Sequence, residues 1–198
     1  DVEGITITQG PSALLMADGG TVRLQGGAAI VGGTLDTANN GAIVNNNGAN
    51  TLTDVTNLGS FNIFSGTTTA VTGTTLTNNG TVTVNSNRSG VPTALRFDSD
   101  ATLGGTGTVV LNRDWHEDQA QLNTGAGFTL THAVGHTVRG RGQINARLIN
   151  DGTIASDLSD LTGQTLVLRT NAKTNNGLMQ ATGGAYLYIV GITLTQGP

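Results

Sequence analysis

Over much of the chain apolar and polar residues alternate in short runs. Thr21-Val22-Arg23-Leu24, Phe61-Asn62-Ile63-Phe64 and Thr81-Val82-Thr83-Val84 each put one set of side chains on each face with period two. Such runs predict half-buried β-strands. No window of about 11 residues carries an apolar stripe of helical period. The segment nearest to one, Ser12-Ala13-Leu14-Leu15-Met16-Ala17, is closed by Asp18-Gly19-Gly20 and reads as a strand and a turn.

The runs are punctuated by a recurring motif of Asn, any residue, Gly, then a small and an apolar residue. It occurs at Asn39 to Gly41, Asn57 to Gly59, Asn78 to Gly80, Asn150 to Gly152 and Asn175 to Gly177. A second version replaces Asn with Gly, at Gly105 and Gly107 and again at Gly140 and Gly142, and the two segments align residue for residue. Successive turns lie roughly 18 to 27 residues apart, the length of one coil of a solenoid. A few apolar residues per coil cannot bury themselves, but stacked coils can, with strands pairing at about 4.8 Å and like side chains forming ladders. The expected fold is all-β, a right-handed parallel β-helix of about 8–9 coils. At its corners Gly is expected to supply positive φ, and Asn to tolerate the left-handed region while its amide bonds locally.

A longer recurrence links the ends. Gly4-Ile5-Thr6-Ile7-Thr8-Gln9-Gly10-Pro11 returns as Gly191-Ile192-Thr193-Leu194-Thr195-Gln196-Gly197-Pro198, seven identities in eight at an offset of 187 residues. Residues 1–198 are therefore expected to form a single solenoid segment, with 4–190 as one period of a longer tandem array.

Composition narrows the function classes. The chain of 198 residues is 36% hydrophobic, 4% aromatic and 11% charged, with 30 Gly and 3 Pro, so its surface must consist largely of hydroxyls and amides. A net charge of -4 offers no basic field for nucleic acid. Without cysteine there is neither a disulfide nor a thiolate metal site. No stretch approaches the roughly 20 apolar residues of a membrane span, so no membrane insertion is expected.

The string Leu148-Ile149-Asn150-Asp151-Gly152-Thr153-Ile154 and the Gly-x-Gly string from Gly140 to Ile144 resemble the passenger regions of bacterial autotransporters, large adhesins and filamentous-haemagglutinin-like exoproteins. The resemblance implies export to the outer surface of a bacterium, a Gram-negative one, and a role in adhesion, biofilm or a filament. It specifies architecture and no chemistry.

Candidate chemistry is sparse. Asp114, Trp115, His116, Glu117 and Asp118 sit in the polar run 112–119, which contains the one Trp and reads as a corner loop able to contact glycan or a cell surface. Asp98 and Asp100 are the carboxylate pair for a glycosidic cleavage, although Asp-Ser-Asp also suits a plain turn. Asp157 and Asp160 match no calcium-loop spacing. His132 and His136, four apart in an extended strand, would stand about 13 Å from one another, too far for one metal ion, and are expected on the surface. Threonine pairs such as Thr6 and Thr8 raise an ice-binding face, but their spacing along the sequence looks irregular. No catalytic residue, metal or cofactor is expected. The function expected is that of a non-catalytic structural repeat, its partner another copy or neighbouring repeat stacked end to end or laterally. The alternative is an adhesin module acting through 112–119.

Overall fold

The computed structural model describes residues 1–86, 91–113, 120–158 and 165–197. The chain winds as a parallel β-solenoid of about eight turns, and among the described residues there is no helix. Each coil contributes to three faces. The first face is built from Val2–Glu3, Thr21–Gln25, Ala42–Asn45, Ser60–Ile63, Thr81–Ser86, Thr108–Arg113, the start of Thr137–Ile144, Thr153–Ser156 and Leu178–Ala181. The second is built from Thr6–Thr8, Ala29–Val31, Ala49–Thr53, Thr68–Thr72, Thr93–Phe97, Ala120–Thr124, the end of Thr137–Ile144, Thr165–Leu168 and Tyr186–Ile189. The third runs from Leu14–Asp18 through Thr34–Ala38, Thr56–Asn57, Thr75–Asn78, Ala101–Gly104, Leu130–His132, Leu148–Asn150 and Lys173–Asn175 to Leu194–Gln196.

Every pairing is parallel and joins one coil to the next, so like positions stack into ranks. On the first face Val22, Ile43, Phe61, Val82, Val109, Val138, Ile154 and Met179 form one inward rank. Its six members from Ile43 to Ile154 are buried. Fully burying a Val, Ile or Phe is worth about 1.5–3 kcal/mol, and the stack supplies this without any one coil having a core of its own. Small aliphatic side chains suffice because the interior is one rank deep on each face.

Coil length varies more than the motif spacing suggests. Val109 pairs with Val138, 29 residues on, whereas Val138 pairs with Ile154 after only 16. The short coil saves residues by running straight through the corner between first and second faces as one strand, Thr137–Ile144. Gly140 and Gly142 make that corner, with φ of 110° and 153°. They are thus not equivalent to Gly105 and Gly107, which lie between third and first faces, and the alignment of the two Gly-x-Gly strings joins different corners.

The Asn-x-Gly motifs all lie between third and first faces. Their glycines are required for a different reason from the one expected. Gly41, Gly59, Gly80, Gly152 and Gly177, and Gly107 in the Gly-x-Gly version at the same corner, do not have positive φ. A Cβ on Gly80 would press into the Gly59 carbonyl oxygen, one on Gly107 into that of Gly80, and one on Gly177 into that of Gly152. Close approach of successive corners, not the left-handed conformation, excludes a side chain there. Of the asparagines in these motifs only Asn39 and its neighbour Asn40 are left-handed, at φ 49° and 62°.

The recurrent octapeptide serves two different faces. Thr6–Thr8 lies on the second face and Leu194–Gln196 on the third, because alternating Ile or Leu with Thr fits any face that is buried on one side.

Candidate functional site

The asparagines of the corner motif point inwards in the coils from the third onward, and they make the main polar feature of the interior. Asn57 and Asn78 occupy one rank of the third face, above Leu35. His132, Asn150, Asn175 and Gln196 occupy a second, above Leu76 and Leu103. His136, at the end of the corner that follows Leu130–His132, turns back into the interior and joins the two ranks.

The hydrogen bonds run in one direction. Asn57 Nδ2 donates to Asn78 Oδ1 at 2.8 Å, and Asn78 Nδ2 donates both to the Thr108 carbonyl at 3.1 Å and to His136 Nε2 at 3.0 Å. His136 Nε2 must therefore accept, which puts its proton on Nδ1. Nδ1 donates to His132 Nε2 at 3.0 Å, and His132 Nδ1 donates to Asn150 Oδ1 at 2.6 Å. Asn150 Nδ2 continues to Asn175 Oδ1 at 2.7 Å, and Asn175 Nδ2 to Gln196 Oε1 at 3.0 Å. The relay spans coils three to nine. It crosses the fifth because Gly105 and Gly107 have no side chain and His136 reaches past them to Asn78. At its start, above Leu35, Asn57 Oδ1 is buried without a partner.

These histidines are not on the surface, as their spacing suggested. His132 is 0% and His136 1% exposed. The expected separation assumed a straight strand, whereas the chain turns between them at Gly135, φ 86°. Burial holds the His132 pKa below its ordinary value, although its bond to Asn150 opposes the shift. Burial and the charge of His132 push that of His136 down to about 3. Both imidazoles are neutral, in keeping with a relay in which each ring donates once and accepts once.

The acids are engaged in holding corners. Asp54 Oδ1 accepts from the Thr74 and Thr75 backbone N–H groups at 2.7 and 3.0 Å, and Asp100 Oδ1 from that of Thr129 at 2.7 Å, each tying one coil to the next. The Thr74 bond and its neighbours keep the Asp54 carboxyl below its ordinary pKa. Asp98 takes a two-point ion pair from Arg96 at 2.7 and 2.8 Å, and Asp157 accepts from Arg139 at 2.6 Å. The pairing of Asp98 with Asp100 is thus turn and surface chemistry rather than two facing acids. Among the described residues no three His, Asp or Glu side chains gather in a manner that would hold a metal ion.

Asp114, Trp115, His116, Glu117 and Asp118 lie outside the described residues, as does Asp160. Of the run 112–119, Asn112 and Arg113 end the strand Thr108–Arg113, with Arg113 buried and Asn112 donating to Asn85 Oδ1 at 3.0 Å. Register also lines up threonines that look irregular in sequence: Thr75, Thr102 and Thr131 form an outward rank that continues, past Ile149, to Thr174 and Thr195.

One buried group has no counterpart in the sequence reading. Lys173, the one lysine, stands in an inward rank between Leu148 and Leu194 and is 2% exposed. Its Nζ donates to the Arg169 and Asn171 carbonyls at 3.0 and 2.9 Å, and burial lowers its pKa to about 8. Nothing in the local sequence Asn171-Ala172-Lys173-Thr174 marks it as internal except its position two residues before the inward Asn175. No family model matches the chain, and no curated protein and no solved structure was found to be similar to it.

Proposed function

We propose that the chain is a non-catalytic structural unit of an elongated, repetitive bacterial surface or fibre protein, exported to the cell exterior, whose units continue end to end. The observation that carries this is the character of the terminal coils. More than half of the large exposed apolar side chains among the described residues sit there: Ile5, Leu14 and Met16 in the first, and Leu178, Tyr186, Tyr188, Ile189 and Val190 in the last. The last coil, from Leu178 to Gly197, has no charged residue to discourage pairing. Each terminal coil also has one side of its strands open to a further parallel partner. The loss of the polar edge groups to solvent and the exposure of apolar ranks are both relieved by a neighbour stacked coil on coil.

The likeness of the corner motifs to autotransporter passengers and filamentous exoproteins supports the same reading, as does the use of Asp54, Asp98, Asp100 and Asp157 in corners and ion pairs. Electron microscopy and sedimentation of the purified chain test it. Filaments with an axial repeat near 40 Å, from about 4.8 Å per coil, are expected. A dispersed monomer at all concentrations would sink it.

A further inference from the structure

Along the corner that leads from the first face to the second, a groove of about 880 Å³ runs parallel to the solenoid axis. Its floor is a single outward rank. Asn85 pairs with Asn112 and Asn112 with Arg141, while the pairings of Ile63 with Asn45 and Val84 extend the same rank to Phe64 and Asn46. Five successive coils thus present amide, phenyl, amide, amide and guanidinium, one every 4.8 Å or so, over roughly 19 Å. All five line the groove.

From this rank we infer a binding site for a linear, neutral oligosaccharide chain lying along the axis. Side-chain amides donate and accept together, as vicinal hydroxyls do, and their spacing is close to the advance of one sugar ring in an extended chain. Phe64, 42% exposed, offers the flat apolar face on which a ring's C–H surface rests. Among the described residues the lining has no carboxylate and one cation, which suits a neutral ligand better than a metal ion or a polyanion. An extended peptide fits less well, since it would need free backbone groups. Here the Asn46, Phe64 and Thr68 N–H groups donate to the preceding coil's carbonyls, and Gly66 N–H donates to Thr93 Oγ1. The site stands on this corner alone and does not depend on end-to-end assembly.

Cellohexaose and N-acetylchitohexaose, titrated separately into the isotope-labelled chain and followed by NMR, test the site. Saturable shifts are expected in the side-chain amides of Asn46, Asn85 and Asn112 with at least one of them. Phe64→Ala should weaken that binding roughly tenfold with its melting temperature unchanged, and Asn112→Ala about fivefold to tenfold with a melting temperature lowered by no more than a few degrees, since it also loses the bond to Asn85. If Phe64→Ala melts early, Phe64→Leu takes its place. No saturable shift with either sugar, shifts only elsewhere, or variants that bind as tightly as the parent chain would each overturn the assignment, as would a neutral extended hexapeptide that binds this groove when the sugars do not.

Discussion

The rings of His132 and His136 meet edge to face, centroids 5.1 Å apart at 86°, with a single proton between Nδ1 of one and Nε2 of the other. Protonating either ring destroys this arrangement. A second proton on His136 would aim N–H at Asn78 Nδ2, already a donor, and one on His132 would set two donors against each other. Around the pair stand Leu103, Leu130, Asn78 and Asn150, and among the described residues the charge of Asp151 reaches it.

Acid should therefore unfold the chain through this pair. Both folded pKa values lie below the ordinary 6.5, so stability is complete above that value. It falls with decreasing pH as the unfolded chain takes up protons that the folded one refuses, until His136 titrates near 3. The slope is up to about 1.4 kcal/mol per pH unit per histidine. Denaturant melts at pH 7, 6, 5 and 4 should trace this loss, and His132→Leu/His136→Leu should flatten it. An unchanged slope in the double variant would place the acid sensitivity elsewhere.

Gly80→Ala should cost at least about 2 kcal/mol, because its new Cβ meets the Gly59 carbonyl, which the ladder itself holds in place. Gly10 has ordinary φ and nothing within 4 Å of the position a Cβ would take. Gly10→Ala should change stability by no more than about 0.5 kcal/mol. Equal melting of the two variants would refute the close-approach account of the corners, and Gly152→Ala provides a second reading of the same effect.

The relay makes a related prediction at Asn150. Its amide is the junction between His132 and Asn175, and it is fully buried. Asn150→Ala leaves a donor and an acceptor unmet, at about 1–3 kcal/mol each. Asn150→Asp replaces the outgoing donor by a second acceptor facing Asn175 Oδ1 and should destabilise more at pH 7 than at pH 5, against the trend of the parent chain. Calorimetry at the two pH values checks the reversal.

The parts of this molecule that repeat are the parts that could be read from residues alone. Alternation in Thr81-Val82-Thr83-Val84 and the Asn-x-Gly spacing both express the stacking, so the solenoid follows from them. What one coil does differently from its neighbours was hidden. His136 turns inwards because its corner is two residues longer than those at Asn78 and Asn150 and contains Gly135. The two Gly-x-Gly strings look alike but turn different corners, because glycine records a need for space without recording which backbone demands it. Lys173 and the Asn46-to-Arg141 rank depend on register between coils of unequal length, and register is a property of the pairing, absent from any one segment.

Lys173 predicts a second pH window. Its folded pKa near 8 lies below the ordinary 10.5, so the unfolded chain holds the extra proton between those values and stability should rise as pH is raised through them. The total gain is on the order of 3 kcal/mol. Lys173→Met keeps the stem packed between Leu148 and Leu194 and removes the titrating group, so its stability should be level over that range. A variant that retained the rise would mean that another group releases the proton.

End-to-end stacking predicts which surface substitutions matter for assembly. Ile189 and Val190 are 46% and 52% exposed on the last coil, where Ile189 continues the inward rank of Ile144 and Leu168. In a stacked pair that rank would be carried on by the next unit, and a charge there would have to be buried against apolar neighbours. Ile189→Lys should therefore abolish filaments while leaving the monomer's melting temperature within a few degrees, since no further coil covers the site in the isolated chain. Val134→Lys is the matching control: Val134 is 78% exposed at a mid-solenoid corner, away from both ends. Sedimentation of the two variants side by side separates the possibilities. Loss of assembly with Ile189→Lys alone supports stacking through the terminal coils. Loss with Val134→Lys alone would move the contact to the side of the solenoid, and equal assembly of both would leave the terminal coils without a part in it.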